Sequence, residues 1–102
     1  MTVSLRILAF LLLAASGAWA QGAKEVYLAK CSVCHGADGA GKTAKGRKLK
    51  IKDVHETVGK MSQEEMIKIV ENGKGANMDG FGKELGNDQV KAVTEYYRSL
   101  AK

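Results

Sequence analysis

The chain has 102 residues, a formal net charge of +5, two cysteines, two histidines and no proline. That length suits one small domain, and the sequence contains no internal repeats or low-complexity tracts. The basic residues are not interleaved with aromatic ones, which argues against a nucleic-acid-binding surface.

Residues 1–20 have the pattern of a secretory signal peptide. Arg6 supplies the positive start, residues 7–15 are an apolar run, and a small-x-small cleavage site ends at Ala20. The alternative is an uncleaved membrane anchor, but the apolar run is well short of the roughly 20 residues that a spanning helix needs. We therefore expect a mature domain at residues 21–102, located in the periplasm without stable membrane insertion.

The mature domain opens with a predicted helix that leads into a cysteine motif. Residues 21–30 carry apolar side chains at spacings of three and four, which is typical of a short amphipathic helix. The sequence Cys-Ser-Val-Cys-His follows at residues 31–35, and Cys-x-x-Cys-His is the attachment signature of a c-type haem. Two thiols on one side of a helical turn can add to the two vinyl groups of a haem. We therefore expect one covalent haem c, with thioether bonds to Cys31 and Cys34 and with His35 as a ligand of the iron.

Three other uses of the cysteine pair fit the sequence less well. A structural zinc site needs a tetrahedral set of ligands, and outside the motif the chain offers only His55 among cysteines and histidines. A thioredoxin-like redox pair belongs in a βαβ unit, which the sequence does not resemble. A disulfide between Cys31 and Cys34 would close a very short loop and stabilise the fold little.

Loops and two further helices are predicted beyond the motif. Residues 36–46 contain four glycines and are predicted to form a loop, and residues 50–60 a further connection. Ser62 and Glu65 form a capping box that begins the middle helix.

Gly73 ends the middle helix, and residues 74–86 are predicted to form another loop. The last helix is predicted to start at residues 87–88 and to carry one apolar stripe. No segment alternates with the period of a β-strand over a useful length. We therefore predict an all-α fold.

These features together resemble the class I c-type cytochromes, the small single-haem electron carriers. The shared features, in chain order, are Tyr27, Cys-Ser-Val-Cys-His-Gly at residues 31–36, Gly39, Gly41, Asn72-Gly73, a methionine shortly beyond, Phe81 and Tyr-x-x-x-Leu at residues 96–100. The resemblance covers nearly all of residues 21–102. It implies the small cytochrome c fold, with three or more helices around one covalently bound haem and with the first and last helices in contact.

The resemblance also implies that a methionine on the loop after the middle helix is the sixth iron ligand. Met78 lies at that position, in a loop without a periodicity that would explain an apolar residue. Met61 and Met66 are accounted for by a hydrophobic staple around the capping box, and His55 by a solvent-facing position. We therefore expect His35 and Met78 on the iron, with His55 and Met61 as the alternatives to Met78. Ligation by His and Met raises the reduction potential relative to ligation by two histidines.

The chain departs from the family pattern where prolines are expected. Gly46-Arg47-Lys48-Leu49 stands where the family has Gly-Pro-x-Leu, whose proline carbonyl accepts a hydrogen bond from the haem histidine. The backbone carbonyl of Arg47 is the candidate replacement, since such a bond orients the imidazole and tunes its basicity. Asp79, rather than proline, follows Met78.

A run of positive charge follows the motif, and we call residues 42–52 the basic segment. Its six cationic residues are Lys42, Lys45, Arg47, Lys48, Lys50 and Lys52. It is either a solvated loop or a rim that steers docking onto redox partners with acidic surfaces. We expect a monomeric electron carrier that is not an enzyme. The alternatives are a dedicated electron-transfer subunit of a dehydrogenase or oxidase complex, and a haem sensor or peroxidase with an open iron site.

Overall fold

The computed structural model describes residues 22–102, and these residues form six helices without a strand. Helix α1 covers residues 22–30. The others are α2 (Ser32–His35), α3 (Ala44–Lys48), α4 (Val54–Lys60), α5 (Gln63–Asn72) and α6 (Gly82–Ser99). The prediction of an all-α fold is confirmed. The predicted signal peptide at residues 1–20 lies outside the described residues.

Side-chain caps explain where three of the helices begin. Thr43 accepts a hydrogen bond from the backbone N–H of Gly46 at the start of α3, and Asp53 caps α4 in the same way. At α5, the Ser62 hydroxyl accepts from the N–H of Glu65 at 3.2 Å, while the Glu65 carboxylate accepts from the N–H of Ser62 at 3.3 Å. These caps satisfy N–H groups that have no partner inside the helix. The predicted capping box is therefore confirmed.

The first and last helices pack together through tyrosine rings. The ring centroid of Tyr27 on α1 lies 5.3 Å from that of Tyr96 and 6.1 Å from that of Tyr97, both on α6. Helices α4 and α5 also pack against α6. The largest buried side chains of residues 22–102 lie on α1, α4, α5 and α6 and are Tyr27, Val54, Met66, Val90, Val93 and Thr94.

The predicted loops were too long in three places. Helix α3 begins inside the glycine-rich loop predicted at residues 36–46, and α4 occupies most of the connection predicted at residues 50–60. Helix α6 begins at Gly82, before the predicted start at residues 87–88. Gly86, with φ 74° and ψ 167°, separates a first turn from the long helical part, so the prediction is correct only for the part beyond this kink.

Candidate functional site

The cysteine motif lies on a nearly continuous helical path from α1 into α2. The backbone N–H of Cys31 donates to the carbonyl of Tyr27 at 2.9 Å, and the N–H of His35 donates to the carbonyl of Cys31 at 3.0 Å. Both cysteines are free thiols and partly buried. The structure therefore brings Cys31, Cys34 and His35 together on one helical turn, as the sequence predicts.

The imidazole of His35 is largely enclosed by protein. Its Nδ1 is buried and has no hydrogen-bond partner among residues 22–102. The ring meets that of Tyr97 in a T-shaped arrangement, with centroids 5.1 Å apart and planes at 65°. Burial lowers the pKa of His35, because a buried charge is poorly solvated. The ring is thus kept in the neutral form that binds metals.

The hydrogen bond expected between His35 and the carbonyl of Arg47 is not present in the structure. The Arg47 carbonyl accepts instead from the backbone N–H of Lys50 at 3.2 Å, in the turn that ends α3. Lys50, with a positive φ of 57°, closes this turn. The acceptor that the family takes from a proline carbonyl is therefore not supplied by Arg47 here.

Tyr27 fixes the backbone directly after His35. Its buried hydroxyl donates a hydrogen bond to the carbonyl of Gly36 at 2.6 Å. Burial raises the pKa of Tyr27, so the hydroxyl keeps its proton and remains a donor. Gly36 itself has φ 84°, a left-handed conformation that favours glycine. The first helix and the residue after the motif are thereby held in one position.

Helix α3 packs closely against the motif. The Thr43 hydroxyl donates to the carbonyl of Val33 at 2.7 Å and also lies 3.3 Å from the carbonyl of Cys34. A Cβ at Gly46 would lie 2.3 Å from the Cys34 carbonyl oxygen and 2.5 Å from that of Gly41. Only glycine allows this approach of the two backbones. The basic segment, which contains α3, therefore begins next to the motif.

Met78 lies on a separate loop that returns over the end of α5. Gly73 ends α5 with φ 82°, and the backbone N–H of Lys74 donates to the Met78 carbonyl at 2.9 Å. The N–H of Met78 donates back to the Lys74 carbonyl at 3.3 Å, and the N–H of Phe81 donates to the carbonyl of Val70 at 2.8 Å. These bonds define the backbone on both sides of the partly buried Met78.

His55, one of the two alternatives to Met78, has another side-chain partner in the structure, and a contact of Met61 is made by its backbone carbonyl. The side chain of His55 is 64% exposed, and its Nδ1 lies 2.8 Å from the Asp53 carboxylate. The buried sulfur of Met66 lies 3.5 Å from Nη1 of Arg98. The same Nη1 donates to the backbone carbonyl of Met61 at 3.0 Å. The solvent-facing position expected for His55 agrees with this geometry.

Within residues 22–102, no three His, Cys, Asp or Glu side chains come together in a way that could hold a metal ion. In the same part of the chain, no helix combines the length and hydropathy that crossing a membrane requires.

Two elements of the site were not identified from the sequence. The contact between Tyr97 and His35 joins distant parts of the chain, and the sequence signals only that Tyr97 belongs to an apolar stripe. Thr43 was missed because α3 lacks apolar periodicity, although a threonine that precedes a short helix is a recognisable cap.

The residues present fit a covalently attached haem. Two free, partly buried thiols flank one helical turn, and a partly buried imidazole follows them, with a buried Nδ1 that has no hydrogen-bond partner among residues 22–102. Thiols add to haem vinyl groups, and a neutral imidazole is a ligand of haem iron. Cys31, Cys34 and His35 are thus suited to hold the group together.

Comparisons with known proteins agree with this site. The family model described as "Cytochrome C oxidase, cbb3-type, subunit III" matches residues 18–96. The solved structure of the "KustC0563 c-type cytochrome" superimposes with a TM-score of 0.71 at 31% sequence identity, covering 78% of this chain and 96% of that chain. No curated protein matches the sequence.

Cytochromes c carry covalent haem and are typically electron carriers rather than enzymes. The family model covers well over half of the chain, and the solved relative is covered almost completely. The chain therefore belongs to the c-type cytochrome family.

Proposed function

We propose that this protein is a periplasmic electron carrier that holds one haem c through Cys31 and Cys34, with His35 and Met78 as axial ligands. The observation that carries the proposal is the placement of both thiols and of an imidazole with a buried Nδ1 on one helical turn, in a chain of the c-type cytochrome family. When bound, the haem supplies an iron that alternates between the ferric and ferrous states.

The residues of the chain have separate tasks in this proposal. Cys31 and Cys34 would fix the group covalently, and His35 would present a neutral nitrogen from a partly buried position. Met78 offers a thioether, a soft ligand that favours the ferrous state, from a loop whose backbone is held by the Lys74 bridge. If both residues bound the iron, it would keep no free coordination position, and electron transfer needs none.

The basic segment is proposed as the docking surface for partners with acidic surfaces. All six of its cationic residues are exposed, and of these only Lys52 lies within ion-pair distance of a carboxylate, 3.8 Å from Glu56, in residues 22–102. Val33, inside the cysteine motif, is 57% exposed beside this segment. Opposite charge accelerates association at low salt and loses that effect as salt rises. Electron-transfer rates with an acidic partner should therefore fall as the ionic strength rises. This fall should be smaller in the triple variant Lys42→Gln, Lys45→Gln, Lys48→Gln than in the wild type.

A dedicated electron-transfer subunit is the second candidate. The observation that favours it is the description of the matching family model, which names an oxidase subunit. Size-exclusion chromatography of gently extracted membranes and of the periplasmic fraction distinguishes the two. The haem should elute at the size of the free protein for a soluble carrier, and with a large complex for a subunit.

Visible spectra of the purified protein in both oxidation states test the ligand set. A low-spin spectrum with the weak long-wavelength band of sulfur-ligated ferric haem is expected. A high-spin spectrum, together with ready binding of carbon monoxide by the ferrous wild-type protein, would contradict Met78 ligation and favour the sensor or peroxidase alternative.

Intact mass spectrometry of periplasmic protein tests the location and the processing. The species recovered should begin at or near Gln21 and carry the mass of one haem. A membrane-bound species that retains residues 1–20 would support the anchor instead.

A further inference from the structure

The ring of His35 is in contact with a side chain that is itself held by a hydrogen bond. Tyr97 meets the imidazole in the T-shaped arrangement described above. The hydroxyl of Tyr97 lies 3.1 Å from Oγ1 of Thr57 on α4. Because Thr57 donates its own hydroxyl proton to the backbone carbonyl of Asp53 at 3.1 Å, the Tyr97 hydroxyl is the donor to Thr57.

Tyr97 is enclosed on a second side by Tyr27. The two rings are stacked, with centroids 6.1 Å apart and planes at 29°. Tyr27 in turn is held by its hydrogen bond to the carbonyl of Gly36, the residue after His35. The position of the Tyr97 ring is therefore determined by α1 and by α4, and not only by its own helix.

The usual means of fixing a ligating imidazole is a hydrogen bond from its other nitrogen. Among residues 22–102, the buried Nδ1 of His35 has no acceptor, and no hydrogen bond joins it to the Arg47 carbonyl. The packing of neighbouring side chains must then fix the orientation of the imidazole, as the hydrogen bond does in other proteins. A T-shaped contact restricts rotation of the smaller ring, because edge and face attract only over a narrow range of angles.

We propose that Tyr97 is a positioning residue that sets the rotation of the His35 ring, and that its hydrogen bond to Thr57 holds it in place for this task. The inference rests on the proposed function, since it concerns the orientation of an axial ligand. In the same packing Nδ1 is closed to solvent. A water bound there would make the imidazole more basic, stabilise ferric iron and lower the reduction potential.

The test uses the haem-loaded protein, four single variants and the Tyr97→Phe, Thr57→Val double variant. Tyr97→Phe and Thr57→Val each remove the same hydrogen bond, Tyr97→Leu removes the ring, and Tyr96→Leu is the matched control. Tyr96 is the neighbouring tyrosine, which packs on Tyr27 and has no ring contact with His35 in residues 22–102. The readouts are the paramagnetic shifts of the haem methyl groups, which follow the orientation of the axial imidazole, and the reduction potential.

Tyr97→Leu should rearrange the haem-methyl shift pattern and lower the potential, whereas Tyr96→Leu should lower only the stability. Tyr97→Phe and Thr57→Val should each change the haem-methyl shift pattern in the same way and less than Tyr97→Leu does. The double variant should add nothing to either, because both remove one interaction.

The proposal is overturned if Tyr97→Leu keeps the wild-type pattern and potential, or if Tyr96→Leu changes them as much. Additive effects of Tyr97→Phe and Thr57→Val would also overturn it. Its failure is separable from that of the proposed function. A wild-type protein without covalent haem contradicts the proposed function, whereas a haem-loaded Tyr97→Leu protein with an unchanged pattern contradicts only the role of Tyr97.

Discussion

The hydroxyl of Tyr27 donates to the carbonyl of Gly36 at 2.6 Å and so joins the first helix to the residue after the haem histidine. This carbonyl also accepts from the backbone N–H of Gly39 at 3.1 Å. Loss of the tyrosine hydroxyl therefore leaves the carbonyl with one partner. The bond is buried and connects parts of the structure that must stay aligned for His35 to keep its position.

Tyr27→Phe should lower the free energy of unfolding by about 1 kcal/mol, the usual net value of such a hydrogen bond. The ring itself is kept, so its packing on Tyr96 and Tyr97 is preserved. Denaturant unfolding of the haem-loaded protein measures the change. Tyr96→Phe is the control, because no hydrogen bond of the Tyr96 hydroxyl is found in residues 22–102, and an equal loss there would contradict the assignment.

Replacement of the cysteines should release the haem in two steps. Cys31→Ser or Cys34→Ser alone leaves one thioether, so haem should still resist extraction by acidified acetone. The double variant should lose all of its haem in that solvent, since His35 alone is protonated and detached by acid. Absorbance of the extracted and protein-bound fractions measures the result. Haem that extracts freely from the wild-type protein would show that neither thioether exists.

Met78→Ala should remove the sixth protein ligand. The long-wavelength band of the ferric protein should disappear, the reduction potential should fall, and the ferrous protein should bind carbon monoxide. These changes follow because water or another weak donor replaces a soft thioether. Potentiometry and carbon monoxide titration are the measurements.

Two variants serve as controls for Met78. Met61→Leu preserves volume, and His55→Gln changes an exposed side chain that contacts Asp53, so both should leave spectrum and potential nearly unchanged. A native spectrum in Met78→Ala, with a disturbed one in either control, would mean that the sixth ligand is assigned to the wrong residue.

The carboxylate of Asp53 should make stability depend on pH. Hydrogen bonds from the backbone N–H and then from the side chain of His55 hold the pKa of Asp53 below its ordinary value of 3.8. The folded pKa is lower than the unfolded one, so this stabilisation is present above 3.8 and is lost as the pH falls through the folded value. Denaturant midpoints measured across this range should fall less steeply in Asp53→Asn than in the wild type. Parallel curves for the two proteins would exclude Asp53 as a contributor.

The parts of the structure that were predicted depend on short stretches of sequence. The cysteine motif and the capping box of Ser62 and Glu65 each act within one helical turn, so their residues alone specify the geometry. Helix α3 was missed because Ala44-Lys45-Gly46-Arg47-Lys48 has no apolar periodicity. It forms because Thr43 caps it and because Gly46 can approach the Cys34 carbonyl.

The surroundings of His35 could not be predicted from local patterns. The ring of Tyr97 comes from the last helix, and the Thr57 hydroxyl that holds it comes from α4. Only the packing of both helices brings these groups beside the motif. The sequence also left open whether the Arg47 carbonyl replaces the proline carbonyl, because residue type does not fix the direction of a backbone carbonyl. In the structure this carbonyl accepts from Lys50 and has no hydrogen bond from His35.

The close packing around Gly46 makes glycine at this position a feature that homologues with the same loop should share. Any substituent at this position would overlap the carbonyl oxygens of Cys34 and Gly41, both of them backbone atoms that a side-chain rotation cannot move away. Natural variation should therefore be suppressed at position 46 for steric reasons that do not apply to its exposed neighbours Lys45 and Arg47. A homologue with a larger residue eleven positions after its haem histidine must route this loop along a different path.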